Sequence, residues 1–215
     1  MNRTIASLLM LTLFTQSVFA VDLVPTLGKK GKSLLEEKFD SNDVPKGWGK
    51  NTGTIAIADG ALRLGELASE THAGAFRKAV PLQDFAIQLD FKFDRAKMIH
   101  VGFDPAPGEL NKKGHLYSIV VNPKAYTILE HNDKANPNSK PKTHASKPSE
   151  FKDGQWYTLL LENKGEDVVV QIQGKETLKA KAEDFRVKKP GLVFRVSAED
   201  GDGALIDNVQ VWELN

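Results

Sequence analysis

Residues 191–212 read GLVFRVSAEDGDGALIDNVQVW and contain two stretches in which apolar and polar side chains alternate. The alternation runs through residues 192–197 and 205–212, and an acidic, glycine-containing turn at 199–203 separates the two stretches. Alternation on both sides of such a turn predicts a β-hairpin. We therefore expect the chain to end in β-structure, and the remaining sequence is interpreted outward from this hairpin.

The second strand of this hairpin carries a charged residue on an apolar face. Strict alternation places Asp207 on the same face as three apolar residues, Leu205, Val209 and Val211. A buried carboxylate without a partner is costly. Asp207 should therefore be paired, hydrogen-bonded or bound to a cation.

The composition is that of an ordinary globular protein. The chain has 215 residues, of which 40% are hydrophobic and 27% charged, and its formal net charge is +1. We expect a single β-sandwich domain over residues 34–215. The chain contains no cysteine, which excludes disulfides and thiol chemistry. Lysines and arginines are scattered among acidic residues, which argues against a nucleic-acid partner.

The first 20 residues differ from the rest. A short polar start with Arg3 precedes an apolar run, and small residues lead up to Ala20. This pattern predicts a secretory signal peptide over residues 1–20, and polar residues within the run argue against a membrane span. We expect a secreted or periplasmic protein in which residues 21–33 form a flexible lead-in. The sequence does not define an oligomeric state.

Short strands account for most of the remaining chain. The clearest lies at residues 84–93, where one face carries Phe85, Ile87, Leu89, Phe91 and Phe93. Such a strand is half-buried, with its apolar face on a core. Residues 132–150 are polar and predict a long loop. Roughly a dozen strands of this kind, without a convincing helix, predict an all-β, two-sheet antiparallel jelly-roll sandwich.

Several short elements occur in a recognisable order. They are EEKFD (36–40), GW (47–48), IADGAL (57–62), QDF (83–85), GQWY (154–157), GL (191–192) and IDNV (206–209). In this order they resemble the concanavalin A-like lectin/glucanase jelly roll and, more narrowly, the secreted bacterial domain called 3-keto-disaccharide hydrolase. The resemblance covers residues 34–214 and implies a LamG-like sandwich whose concave sheet handles sugars.

The resemblance also implies a structural metal ion. In many relatives of this fold, Ca²⁺ joins the first strand to the last through backbone oxygens and carboxylates. Asp207 resembles the C-terminal ligand, and Glu37 or Asp40 would be its N-terminal counterpart, since oxygen ligands suit a hard cation. The alternative is that Asp207 accepts backbone N–H bonds or pairs with Lys or Arg without a metal. The five histidines lack the close spacing of a zinc site.

Catalytic residues are harder to identify. The E-x-D-x-x-E strand of family 16 glycoside hydrolases is absent, which argues against cleavage by paired carboxylates. His115 and Tyr117 share a face of one strand, Tyr126 and Glu130 share a face of the next, and His100 lies on a neighbouring strand, so the three strands can bring these side chains together on one sheet face. These side chains are candidates to bind sugar hydroxyls, and His100 and Glu130 to act as general acid or base. The alternative is an exposed polar sheet face without a function.

The tryptophans are a further carbohydrate-binding candidate. Trp48 follows a turn and could stack on a sugar ring, whereas buried packing is the default expectation for every tryptophan, Trp156 and Trp212 included.

Three functions fit these observations. The first is an exported carbohydrate-active protein that hydrolyses 3-keto glycosides, because cleavage of a keto-sugar by elimination needs only a base and a group that polarises the carbonyl. The second is a non-catalytic, lectin-like glycan-binding module. The third is a structural protein of the cell envelope.

Overall fold

The computed structural model describes residues 23–70 and 72–215, so the predicted signal peptide at 1–20 lies outside the described residues. Within the described part, fifteen strands account for most of the chain and the helical segments are two short 3₁₀ turns, Ala68–Glu70 and Glu183–Arg186. The strands are β1 Lys30–Glu37, β2 Trp48–Thr52, β3 Thr54–Ala58, β4 Ala61–Gly65, β5 Gly74–Leu82, β6 Phe85–Asp94, β7 Met98–Phe103, β8 Tyr117–Asn122, β9 Ala125–Glu130, β10 Lys142–Pro148, β11 Trp156–Lys164, β12 Asp167–Ile172, β13 Leu178–Lys181, β14 Lys189–Ser197 and β15 Gly203–Leu214.

The strands form two antiparallel sheets. The seven-stranded sheet has the order β10-β9-β8-β7-β14-β5-β2. The eight-stranded sheet has the order β13-β12-β11-β6-β15-β4-β3, and β1 pairs with the C-terminal half of β15. This arrangement confirms the predicted all-β, two-sheet jelly-roll sandwich.

The core lies between the inner faces of the sheets, as the alternation in β6 requires. The five large apolar side chains on the inward face of β6, which the sequence predicted to be buried, all belong to one hydrophobic cluster. Leu192, Phe194 and Val196 of β14 belong to the same cluster from the opposite sheet. Each such side chain stabilises the folded protein by roughly 1.5–3 kcal/mol when it is buried, which makes the sandwich core the main source of stability.

The predicted terminal hairpin is wrong. β14 pairs with β5 and β7 in the seven-stranded sheet, whereas β15 pairs with β6 and β4 in the eight-stranded sheet. The acidic turn therefore carries the chain from one sheet to the other. The apolar faces of the two strands meet across the core, so alternation alone could not distinguish this connection from a hairpin.

A bulge in β15 also changes the expected position of Asp207. Asp207 pairs with Asp90 and Gln210 with Gln88, so two residues of β15 lie opposite one residue of β6. Asn208, within the bulge, has a left-handed φ of 49°, which asparagine tolerates better than most residues. Val209 is therefore in the core, while Asp207 lies on the outer face of the sheet.

Part of the predicted lead-in packs against the sheet. Residues 23–28 lie across the outer face of the eight-stranded sheet, where the backbone N–H groups of Thr26 and Leu27 donate to Glu162 Oε2 at 2.7 and 2.6 Å. The first strand begins at Lys30 rather than at residue 34. A Pro-, Gly- and Lys-containing segment has no local signal for this contact, because the carboxylate that holds it lies about 135 residues away.

Two strands were not predicted from the sequence. β10 lies within the expected loop at 132–150, and β2 lies in a stretch expected to be turns. Both are outermost strands of the seven-stranded sheet, and most of their residues are exposed or only partly buried. An edge strand with polar residues on both faces lacks the alternation by which strands are recognised.

Candidate functional site

The outer face of the seven-stranded sheet carries a cluster of polar side chains at its centre. Strand pairing sets Arg195 of β14 beside His100 of β7, and Gly102 of β7 beside Ser118 of β8. Directly paired residues of neighbouring strands point to the same side of a sheet. A methyl group at Gly102 would lie 2.8 Å from Ser118 Oγ and 3.5 Å from Arg195 Nη2, so the glycine leaves room for both side chains.

One part of the cluster is a relay of Arg77, Asp104 and His115. His115 Nδ1 lies 2.6 Å from Asp104 Oδ1, and Arg77 forms an ion pair with the other carboxylate oxygen. Arg77 Nε donates to Asn51 Oδ1 at 2.9 Å, which holds the guanidinium in place. Burial alone would raise the pKa of Asp104, but hydrogen bonds from His115 and Arg77 outweigh burial and lower it. Asp104 is therefore an ionised acceptor at neutral pH.

This relay fixes the tautomer of His115. Because an ionised carboxylate only accepts hydrogen bonds, Nδ1 of His115 must carry the hydrogen that Asp104 accepts. Nε2 makes no hydrogen bond with any described residue, and the side chain is 19% exposed. An imidazole oriented in this way presents a free lone pair to solvent, as a general base requires.

The second part of the cluster is formed by Arg195, Ser118 and His131. Arg195 Nη2 donates to Ser118 Oγ at 2.9 Å and to His131 Nε2 at 3.0 Å, and Ser118 Oγ lies 2.8 Å from the same nitrogen. Burial and the charge of Arg195 lower the pKa of His131 to about 3. His131 is therefore neutral at pH 7. Its ring centroid lies 5.4 Å from that of His115, so the two parts form one site.

His100 lies beside this site and is largely buried. Its ring stacks on that of His131 at 6.4 Å between centroids, and its Nε2 lies 3.0 Å from Met98 Sδ. Burial and the charge of Arg195 lower the pKa of His100 to about 3. Of the two predicted catalytic residues, His100 thus lies in the cluster, but as a neutral side chain packed beneath it.

Glu130, the other predicted catalytic residue, lies in a different environment. Its carboxylate contacts His144 Nε2 at 2.8 Å and Lys112 Nζ at 3.5 Å. Lys112 belongs to the segment that connects Asp104 to His115, and its charge also contributes to the low pKa of His131. Glu130 therefore anchors a loop of the site, and makes no hydrogen bond to the relay or to His131.

The predicted sugar-binding aromatics are in the core. Tyr117 is fully buried and donates to Asn163 Oδ1 at 3.1 Å, while the buried Tyr126 hydroxyl donates to the carbonyl of Glu176. Trp48 packs against Phe39 and Phe194 at 5.5 and 5.6 Å between ring centroids. None of these three side chains is available to a carbohydrate, which corrects the sequence interpretation.

His115 reaches the outer face because the strand alternation does not extend to it. β8 begins at Tyr117, and the preceding Leu116 is buried in the core as well. Two consecutive core residues break the alternation, so His115 and Tyr117 do not share a face as predicted. This irregularity separates His115 from Tyr117, with which the sequence had grouped it.

Five residues of this site were not predicted from the sequence. They are Arg77, Asp104, Ser118, His131 and Arg195. The available signal was weak: Arg195 and Ser118 are polar residues at outward positions of otherwise apolar strands, and His131 alternates away from Glu130.

The predicted metal ligands lie on the other sheet. Asp207 Oδ1 accepts the backbone N–H of Asn208 at 2.7 Å, and Glu37 Oε1 accepts that of Phe39 at 3.2 Å. Burial, together with the charges of Asp90 and Asp40, raises the pKa of Asp207 to about 6 despite the Asn208 hydrogen bond.

The donors present at this position do not form a calcium site by themselves. Among residues 23–70 and 72–215, no group of three or more His, Asp or Glu side chains is arranged to hold a metal ion. Calcium takes six to eight oxygen ligands, so backbone or water oxygens would have to complete its shell. The calcium expectation at Asp207, Glu37 and Asp40 therefore stays a prediction. In the same part of the chain, no helix has the length and apolar character to cross a bilayer.

Comparison with known proteins gives a family and a fold. A family model described as 3-keto-alpha-glucoside-1,2-lyase-like domain matches residues 35–201. No curated protein sequence matches the chain.

Three solved structures illustrate the fold. The carbohydrate binding module CBM66 from Bacillus subtilis is similar with a TM-score of 0.60 and 14% identity, covering 77% of this chain and 95% of the module. A family 16 endo-beta-1,3(4)-glucanase reaches a TM-score of 0.64 at 13% identity, covering 90% of this chain and 94% of its own. A protein with a galectin-like fold, also from Bacillus subtilis, reaches a TM-score of 0.61 at 15% identity, and the match covers 86% of this chain and 98% of that protein.

Proposed function

Because the chain belongs to the 3-keto-alpha-glucoside-1,2-lyase-like domain family, we propose that it is a carbohydrate-active enzyme that cleaves 3-keto glycosides by elimination. The observation that supports this proposal is the orientation of His115. The Nδ1 of His115 lies 2.6 Å from Asp104 Oδ1, and the Nε2 of His115 makes no hydrogen bond with the described residues. The buried cation Arg195 lies in the same site. A base beside a cation is what proton abstraction next to a carbonyl requires.

The chemistry follows from the ketone. A carbonyl at C3 acidifies the hydrogen on C2, so the Nε2 lone pair of His115 removes that proton and the C2–H electrons form an enolate with its charge on the C3 oxygen. When the enolate collapses, the C3 carbonyl re-forms, a C1–C2 double bond forms, and the C1–O bond to the leaving group breaks. The leaving oxygen takes the proton from the His115 imidazolium, giving an alcohol and a 3-keto-glycal. Addition of water across the C1–C2 bond then gives the free 3-keto sugar, which completes a net hydrolysis.

The residues of the site have distinct roles in this sequence. Asp104 stabilises the imidazolium that forms on His115, and Arg77 keeps Asp104 ionised and oriented. Arg195 polarises the carbonyl, with Ser118 and His131 positioning its guanidinium. This mechanism does not need a second catalytic carboxylate, which agrees with the absence of the E-x-D-x-x-E strand.

Export is part of the same proposal. The apolar run before Ala20 predicts that residues 1–20 direct the chain out of the cytoplasm, so the substrate would be met in the periplasm or outside the cell.

A second candidate is a glycan-binding module without activity. It is favoured by the similarity in fold to CBM66, whose structure is covered over 95% of its length. In this case the outer-face side chains would bind sugar hydroxyls and no bond would break. The two candidates differ in one respect, which is whether His115 acts as a base.

The test is a cleavage assay on 3-keto and ordinary disaccharides with wild type, His115→Ala and Asp104→Asn. We expect turnover confined to the keto substrates, and losses of about 10²–10⁴-fold in kcat for each variant, because general base catalysis contributes that much. The control is His72→Ala, since His72 is exposed and lies outside the site. Its activity should equal that of wild type.

Two results would reject the proposal. Undiminished turnover by a folded His115→Ala variant would exclude His115 as the base. Binding of a glycan without cleavage of any keto substrate would establish the binding-module alternative instead.

A further inference from the structure

Arg195 carries a buried charge that the protein does not neutralise. The residue is 9% exposed, and its hydrogen bonds go to a serine hydroxyl and a histidine ring, both uncharged. Within the described residues, no carboxylate lies within ion-pair distance of its guanidinium. Its Nε is buried and has no hydrogen-bond partner. Its Nη1 makes no hydrogen bond with the described residues either, but this atom is accessible to solvent. A lone buried cation is costly, so this arrangement is unusual for a purely structural residue.

The neighbouring charges compensate Arg195 only in part, because burial, together with the charge of Arg77, lowers its pKa despite the opposing charge of Asp104. Asp104 is paired with Arg77, and Glu130 is paired with Lys112, so each of these carboxylates already has its own cation. The two histidines nearest the guanidinium, His100 and His131, are neutral at pH 7, and His100 Nδ1 is itself buried without a partner. The site therefore holds one positive charge in excess, together with unused donors.

We infer that the outer face of the seven-stranded sheet contains an oxyanion-binding site centred on Arg195, with Nη1 as the donor that meets the ligand. Its ligand is an oxygen that carries negative charge on a sugar. Two sources share this chemistry: the transient enolate oxygen of a 3-keto glycoside, which rests on the function proposed above, and the permanent carboxylate of a sugar acid, which does not. In both cases the ligand supplies the counter-charge that the fold omits.

A binding experiment tests the site without relying on catalysis. The probes are D-glucuronate and its neutral methyl ester, titrated into the wild-type protein by calorimetry. We expect glucuronate to bind at least tenfold more tightly than the ester, because only the acid supplies the missing charge. Arg195→Gln should abolish this preference, Arg195→Lys should retain part of it, and Arg186→Gln, at an exposed arginine elsewhere, should leave it unchanged.

A measurement on the wild type alone guards against misfolding of the Arg195 variants. His131 accepts a hydrogen bond from Arg195 Nη2, so an anion bound at Arg195 should change the environment of its ring. At pH 7, the NMR signals of the His131 ring should shift when glucuronate is added and not when the methyl ester is added. Unchanged signals together with equal binding of acid and ester would overturn the oxyanion site.

The kinetic experiment separates this inference from the proposed function. With 3-keto glycosides, Arg195→Lys should lower kcat by about 10²-fold with a smaller change in KM, since oxyanion stabilisation acts mainly in the transition state. Glucuronate preference without any cleavage of keto substrates would keep the oxyanion site and reject the enzyme. Cleavage with a kcat unaffected by Arg195→Gln, and no preference for the acid, would keep the enzyme and reject the oxyanion site.

Discussion

Within the described residues, each sheet buries charged side chains without an ion-pair partner, and two of them, Glu162 and Arg195, are satisfied to different degrees. On the eight-stranded sheet, Glu162 is fully buried, and its carboxylate accepts hydrogen bonds from the backbone of Thr26 and Leu27 and from the side chains of Thr26 and Gln171. On the seven-stranded sheet, Arg195 is nearly as buried but keeps unused donors. The carboxylate is saturated by the protein, whereas the guanidinium is not.

This difference separates a charge that the chain itself satisfies from one for which we propose a ligand. A buried charge whose hydrogen-bonding capacity is filled by the chain holds that chain in place, as Glu162 holds the segment at 23–28. A buried charge with unfilled donors costs stability, which is tolerable where a ligand completes it. Burial alone therefore does not identify a site, and the number of unsatisfied atoms is more informative.

The largest effect of a single group on stability is expected from removing the saturated carboxylate of Glu162. Glu162→Ala leaves the two backbone N–H groups of residues 26 and 27 without their acceptor, and we expect it to lower the free energy of unfolding by about 3 kcal/mol. Urea denaturation measures this loss. Glu162→Gln should lose less because it keeps one acceptor oxygen, and Glu176→Ala, at an exposed carboxylate, should lose almost nothing. Equal stabilities for all three variants would mean that the segment at 23–28 is not held by Glu162.

The next effect in size is a loss of stability in acid, which arises from the two buried histidines beside Arg195. His100 and His131 have a pKa of about 3 in the folded protein, against 6.5 when unfolded. Burial and the charges of Arg195, His131 and His115 lower the pKa of His100. Burial and the charges of Arg195, His115 and Lys112 lower that of His131, and Asp104 offsets this only in part. Between these values the unfolded state binds more protons, so the free energy of unfolding falls as the pH falls. From pH 7 to pH 5 we expect a loss of about 2 kcal/mol for each histidine.

Urea denaturation at both pH values measures this dependence, with His100→Asn and His131→Asn as the comparison. Each variant should show a shallower fall than wild type. If both variants instead follow the wild-type curve, the two rings are not buried as neutral groups.

The smallest effect is expected at Asp207 and has the opposite sign. Its pKa is about 6 in the folded protein, raised by burial and by Asp90 and Asp40, and 3.8 in the unfolded chain. The folded state binds more protons between these values, so ionisation of Asp207 destabilises the protein as the pH rises. We expect Asp207→Asn to raise the free energy of unfolding at pH 8 by about 1 kcal/mol, and to leave it nearly unchanged at pH 4.

The same variant tests the calcium proposal. A bound cation would favour the ionised carboxylate, so calcium should then raise the melting temperature of wild type and not that of Asp207→Asn. A chelator would lower the melting temperature of wild type alone. A wild type that responds to neither addition would leave Asp207 as an uncompensated acid on the outer face.

Much of the fold could be predicted from the sequence because apolar alternation is a local property. The pattern in β6 is visible in ten consecutive residues, and the structure buries the face that this pattern selects. Strands with polar residues on both faces, such as β2 and β10, lack that pattern and were missed. The pairing of β14 and β15 was also mistaken, since alternation does not specify which neighbour a strand has.

The site was less accessible to sequence reasoning. Arg77, Asp104, His115, His131 and Arg195 come from five separate places along the chain, and none of them has a motif spacing that marks it. His100 and His115 lie on this surface and their functional role stays a prediction, whereas Tyr117, Tyr126 and Trp48 were expected at a surface and are in the core. A one-residue irregularity at Leu116 and a bulge at Asn208 each reverse the faces that alternation assigns.

By itself, the sequence determined that this protein is an all-β sandwich, since alternating strands without helical segments to cover them bury their apolar faces by packing sheet on sheet. Family membership likewise follows from the order of its short motifs. The tertiary structure alone decided which charges are saturated and which remain open. Glu162 and Arg195 are both buried charged residues in largely apolar strands, and only the partners brought to them from distant parts of the chain saturate one and leave the other with unused donors.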